Sequence, residues 1–249
     1  MVELLTPLLA VFAVIGFLAG FAKTSIGGVA TIAVAVAALA MPAKESTAAI
    51  LAVLIAGDLV AIWFFGRHVD WTLLRALIPA VLPGLILGTL FLAWVTDDVL
   101  RRSIGAVLLG LVGLQLWQRR QRTGPTRRSR ADHPLMAWIT GGAAGFTTMT
   151  ANAAGAVMTL YFSAKGVEKT KFIGSFAWFF LVVNLAKVPF SVGLGLMTWA
   201  DILRAVAVFP LIVLGGLAGR ALTRRLRQEQ FEVAVLLGSG LAAGVLVVS

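Results

Sequence analysis

Apolar runs of membrane-spanning length follow one another along nearly the whole chain, separated only by short polar stretches. A transmembrane helix needs about 20 consecutive apolar residues. A bilayer interior accepts no backbone polar group that its own segment or surrounding protein leaves unsatisfied. The runs are Leu4 to Ala22, Gly27 to Met41, Thr47 to Phe65, Trp71 to Val95 and Val99 to Trp117, then Pro134 to Thr150, Ala153 to Ala164, Phe172 to Phe190, Trp199 to Leu222 and Phe231 to Val248. With 59% of the 249 residues apolar, 13% charged and a mean hydropathy of +0.95, the chain sits far from the soluble balance of about half apolar and a quarter charged. The expected fold is an all-α polytopic membrane protein, multi-pass in the cell inner (plasma) membrane.

Enzymatic chemistry finds no foothold. The chain has 0 cysteines, which removes disulfides and thiolate sites together, and its 2 histidines, His68 and His133, lie in polar loops. No nucleophile and base at a usable spacing, no phosphate-binding loop and no metal-ligand cluster is present in the sequence. The expectation is a protein that is not an enzyme and carries no cofactor and no metal. Met1-Val2-Glu3 offers no basic stretch ahead of the first apolar run, so that run reads as part of the mature protein.

Sliding the chain on itself by about 125 positions lays Gly16-Phe17-Leu18-Ala19-Gly20-Phe21 over Gly141-Gly142-Ala143-Ala144-Gly145-Phe146. The register continues through Asp58 over Asn184, Trp71 over Trp199, Pro83 over Pro210 and Gly88 over Gly215. These landmarks divide the chain into a first membrane repeat, 1–117, a basic linker, 118–133, and a second membrane repeat, 134–249. The glycines Gly16, Gly20, Gly141 and Gly145 have the small-xxx-small spacing of helix contacts, and packing is their expected role.

The linker carries Arg119, Arg120, Arg122, Arg127, Arg128 and Arg130, and basic residues beside membrane segments favour the cytoplasm. Alternating crossings outward from it puts 15 of the 21 basic residues inside, with Arg67, Arg75, Lys165, Lys169, Lys171, Arg220, Arg224, Arg225 and Arg227 joining the six. Lys44, Arg101, Arg102 and Arg204 fall outside, and Lys23 and Lys187 lie within spans. Five segments per half then gives two inverted repeats, a plan common among secondary transporters. A basic loop next to anionic lipid accounts for the charge, so membrane lipid is an expected partner and nucleic acid is not.

Two segments are too short to cross. At about 1.5 Å per residue, twelve to fifteen residues reach about 18 to 22 Å of a roughly 30 Å hydrocarbon core. Each follows a polar break, Lys23-Thr24-Ser25-Ile26-Gly27-Gly28 in one half and Thr147-Thr148-Met149-Thr150-Ala151-Asn152 in the other. The sequence thus predicts broken or re-entrant helical hairpins at the start of each repeat, with turns that meet near the midplane. Helix N-termini at such turns favour anions. Lys23, Thr24, Ser25, Gly27, Gly28, Thr148, Thr150 and Asn152 are the expected substrate-binding residues, supplying one cation, hydroxyl and amide donors, and glycines that allow close backbone approach.

Asp58, in the middle of the third segment, costs about 3 kcal/mol to insert and marks a functional position. It either carries a proton or pairs with Lys23. Its repeat counterpart Asn184 and the nearby Lys187 complete a candidate coupling or ion-pair group, although Lys187 has the alternative of extending toward the interface. Six of the seven tryptophans sit at segment ends as an aromatic belt; Trp178 lies inside a segment, lining a pathway or packed in the core.

The pattern Gly-Phe-Leu-Ala-Gly-Phe-Ala-Lys-Thr-Ser-Ile-Gly-Gly at Gly16 to Gly28, repeated in weaker form at Gly141 to Gly155, resembles the TauE/SafE family of sulfite exporters. The resemblance covers the two halves, the basic linker and the glycine-rich starts. It implies an anion permease that exports sulfite or a short organosulfonate, and it supplies the sulfur and the direction. The residues themselves supply a secondary carrier for a small anion, with protons as a candidate coupling partner and a homo-oligomer left open. An anion channel, an uptake carrier for another small anion and a membrane scaffold without transport use the same features.

The topology is testable because no native cysteine interferes. Single cysteines placed in Gln118 to His133 are expected to resist an impermeant thiol reagent in intact cells, and cysteines at either terminus or within Met41 to Ser46 to react. Labelling of the linker would invert the map.

Overall fold

A computed structural model describes residues 2–25, 30–120 and 133–225. Among them every regular element is helical. Residues before the linker form α1 (Val2–Thr24), α2 (Ala30–Ala40), α3 (Ala43–Ala49), α4 (Leu51–Phe65), α5 (Trp71–Trp94) and α6 (Asp97–Arg120); those after it form α7 (Pro134–Ala151), α8 (Ala154–Ala164), α9 (Lys169–Gly193), α10 (Trp199–Ala207) and α11 (Phe209–Arg225). Gly27, Gly28, the middle of the linker and the segment Phe231 to Val248 lie outside the described residues.

The helices follow the apolar runs, with interruptions inside two of them, at Ile50 and at Val208. The described residues hold three continuous helices long and apolar enough to cross a membrane, over Ala43–His68, Trp71–Trp94 and Lys171–Gly193. The pair α10 and α11, bent by 55°, passes the same test when taken together, as a broken span or a re-entrant loop. Pro210 accounts for this bend: one residue into α11, it has no amide hydrogen to continue the ladder from α10. Helix α5 shows the membrane signature most plainly. Its buried face carries Leu73, Leu77, Val81 and Leu85, yet Leu82, Ile86, Leu87 and Leu90 are exposed. A helix apolar on both faces is matched to lipid on one and protein on the other. Helices α2 and α8 have 11 residues each, about 16 Å at 1.5 Å per residue, and are too short to span.

Three sequence expectations need correction. The polar stretch Thr147 to Asn152 is not a six-residue break, since α7 runs on to Ala151 and the chain turns only at Asn152 and Ala153. Threonine hydroxyls can return their hydrogen bonds to the preceding turn and so remain in a helix; Thr147 and Thr150 do this to the carbonyls of Ala143 and Phe146. The loop Met41 to Ser46 is shorter than expected, with α3 starting at Ala43. Pro189, at which the sequence leads one to expect a kink or a helix end, lies inside α9, which continues to Gly193.

Helix α1 lies along α11, and α7 lies along α5. In both pairs the first helix of one half meets the fourth segment of the other, through glycine. A Cβ on Gly20 would collide with the Ile212 carbonyl and one on Gly215 with the Phe17 carbonyl; in the second pair, Gly84 faces the Gly142 carbonyl and Gly145 the Val81 carbonyl. Lipid tails are as apolar as leucine, so membrane helices associate by such close backbone approach.

One loop joins the two halves at a second level. Asp70 caps α5, accepting from the amides of Thr72 and Leu73; the Thr72 hydroxyl, foremost, holds its carboxyl below the ordinary carboxylate range. Its own amide donates to Ser175 Oγ at 2.8 Å. Trp178 Nε1 donates to the Gly66 carbonyl at 3.1 Å, and Gly174 leaves room for the carbonyls of Phe65 and His68. Trp178 therefore fastens α9 to the end of α4.

Gly84→Ala and Gly145→Ala are each expected to destabilise the protein by about 1–3 kcal/mol through overpacking. Gly113→Ala on α6, where a Cβ meets nothing within 4 Å, is expected to be neutral or to gain up to about 1 kcal/mol of helix propensity. Melting temperatures in detergent compare them; equal shifts in all three would contradict the glycine crossings.

Candidate functional site

The polar residues that the sequence singles out gather around the ends of α1 and α7 and the middles of α4 and α9. Lys23 lies in the last turn of α1 and its Nζ is 2.6 Å from Asp58 Oδ1, with side-chain exposures of 9% and 0%. Asn184 Nδ2 donates to the other carboxylate oxygen, Asp58 Oδ2, at 2.7 Å. The two positions that the repeat aligns are thus in direct contact. Phe180, one turn before Asn184 on α9, puts its ring 4.2 Å from Lys23 Nζ, a cation–π contact that strengthens when desolvated. Gly57 makes room for this arrangement: a Cβ there would come within 3.2 Å of Lys23 Cγ.

Lys187 occupies the end of α7. Its Nζ donates to the Thr148 carbonyl at 2.8 Å and to Asn152 Oδ1 at 2.5 Å, with Thr148 Oγ1 at 3.5 Å. The residue is 1% exposed and does not extend to an interface. Asn152 takes the left-handed conformation, φ 48°, at the C-cap, where asparagine is tolerated. Its amide and that of Ala153 close the helix onto the Thr148 and Thr147 carbonyls. Asn152 Nδ2 donates to the Thr47 carbonyl at 3.0 Å, which fixes Oδ1 as the atom facing Lys187. A cation at a helix C-terminus also meets the negative end of the dipole.

The remaining candidates divide. Thr24 Oγ1 donates to the Gly216 carbonyl at 2.8 Å, and to that of Gly20 at 3.1 Å, so its hydroxyl serves the α1–α11 contact. Thr150 bonds back within its own helix. Ser25 Oγ is buried with no hydrogen-bond partner among the described residues, a donor left over at the end of α1. Gly27 and Gly28 lie outside the described residues. Three contributors escape sequence reasoning: Thr47 acts through its backbone carbonyl, which no side chain advertises, while Gly57 and Phe180 look like ordinary membrane residues. Only their spacing on either side of a buried charge offers a signal.

Charges at such depth are held by partners or expelled. The cluster contains two lysines and one carboxylate, and among the described residues the only other charged side chain so deeply buried, Asp201, is paired with Arg204 at 2.6 Å. Lys23 has its counter-ion. Among the described residues Lys187 has only neutral hydrogen-bond acceptors.

A family model described as sulfite exporter TauE/SafE matches residues 12–246. The chain belongs to the TauE/SafE family. No curated protein and no solved structure matches it. The family is one of membrane anion exporters, and with its long apolar helices this TauE/SafE member is a multi-pass membrane protein.

Lys23→Met strands the Asp58 carboxylate in the interior and is expected to cost about 3–5 kcal/mol, since breaking a buried pair on one side leaves an uncompensated charge. Lys23→Met combined with Asp58→Asn removes both charges and is expected to recover most of that loss. Thermal melts of the wild type, of each single variant and of the double variant in detergent measure the coupling; additive losses would show that the pair does not interact.

Proposed function

We propose that this TauE/SafE protein is a secondary carrier that exports a small sulfur oxyanion, sulfite or a short organosulfonate, across the inner membrane by alternating access to a central site. The observation that carries this reading is the burial of Lys187, taken as the cation, whose partners among the described residues are all neutral and which lies one turn from Asn184 and so beside the Lys23–Asp58 pair. An anion is the complement that such a charge lacks.

The surrounding architecture supports a carrier. Two 11-residue helices, α2 and α8, suit re-entrant hairpins. The reciprocal pairing of α1 with α11 and of α7 with α5 suits two inverted halves. Contact between the aligned Asp58 and Asn184 is what a pseudo-twofold axis through the site produces. Two halves held by crossed contacts provide the elements that rock against each other in carriers of this kind. Lys187, Thr148, Asn152 and Ser25 form the substrate site in this reading, and Lys23, Asp58 and Asn184 its ion-paired wall.

Counterflow in proteoliposomes tests it. Vesicles loaded with unlabelled sulfite are expected to accumulate labelled sulfite transiently, and Lys187→Met is expected to lower that flux at least tenfold while the protein still inserts and purifies as a single species. Flux that is unsaturable and shows no counterflow would favour a channel, and flux equal to that of empty vesicles would remove transport of sulfite altogether.

A further inference from the structure

The buried cluster has a property that bears on which oxyanion fits. Lys23, Asp58 and Lys187 are the charged groups that face one another across α1, α4 and α9, and together they leave one positive charge in excess. A backbone carbonyl and an amide oxygen oriented by the Thr47 carbonyl accept from Nζ, with the Thr148 hydroxyl at 3.5 Å, a setting that accommodates the ammonium form of Lys187. A second observation points the same way: among the described residues the buried Ser25 hydroxyl has no hydrogen-bond partner.

We propose that this TauE/SafE protein selects its substrate by valence, accepting a monovalent tetrahedral sulfur oxyanion such as a sulfonate or hydrogensulfite and rejecting a divalent one such as sulfate, with Lys187 as the counter-cation of the bound anion. This rests on the carrier reading above. A monoanion closes the charge of the cluster at zero. A dianion leaves one negative charge uncompensated at low dielectric, where an unpaired ion is strongly disfavoured. Lys23 does not take up the second charge, because it is committed to Asp58 at 2.6 Å. Selection then follows from the count of buried charges. Size does not decide it, since sulfonate and sulfate groups are nearly the same in shape.

Methanesulfonate and sulfate carry one and two negative charges at neutral pH and separate valence from shape. Each is added as a competitor of labelled sulfite counterflow in proteoliposomes containing the full chain. Methanesulfonate is expected to compete at least tenfold better than sulfate. Asp58→Asn, which raises the excess to two positive charges, is expected to shift that ratio at least tenfold toward sulfate, and Lys23→Met together with Asp58→Asn is expected to restore it. Equal competition by the two anions in the wild type, or a ratio that Asp58→Asn leaves unchanged, would overturn valence selection while leaving sulfite carriage standing. Absence of sulfite counterflow itself would instead take down the carrier reading, and the inference with it. The wild-type ratio requires no variant, so the proposal stays exposed even where Asp58→Asn fails to reconstitute.

Discussion

Everything central to this molecule hangs on two places where helix backbones touch. Helix α1 meets α11 and α7 meets α5 with glycine against carbonyl, closer than any side chain permits. In water such contacts would be one term among many. In lipid, which competes equally well for every leucine, they are the main source of specificity between helices. They also set where α1 and α7 end, and those ends bring Lys23 and the Asn152 turn to the middles of α4 and α9.

The charges follow from that placement. A lysine and an aspartate, each unaffordable alone, neutralise one another at the end of α1 and the centre of α4. At the end of α7 the second half uses no carboxylate. It satisfies Lys187 with the terminal carbonyl of the helix and the side chain of its capping asparagine. The two positions that the sequence aligns thus differ in charge, Asp58 standing against Asn184.

The apolar runs, the two short helices and the Lys23–Asp58 partnership were legible in the sequence because hydropathy, length and opposite charge are properties of residues. The partners of Lys187 were not, because one of them is a main-chain carbonyl. The extent of α7 was misread for a related reason. Thr147 and Thr150 look like residues of a polar break, but once each hydroxyl returns to a carbonyl one turn back they are quiet members of a helix. The same chemistry takes Thr24 into helix packing. A threonine shows where a hydroxyl is available, and only the neighbouring backbone decides whether that hydroxyl is spent.

Helix α9 has two ends with different duties. Near its start Gly174, Ser175 and Trp178 grip the segment 65–70 at the end of α4, and further along Asn184 holds Asp58 of α4 from the other side of the same helix pair. Two anchor points on one stiff rod remove its freedom to pivot or slide against α4. The pair therefore behaves as a single strut, and an opening of the centre that keeps these bonds has to carry α4 and α9 as one piece.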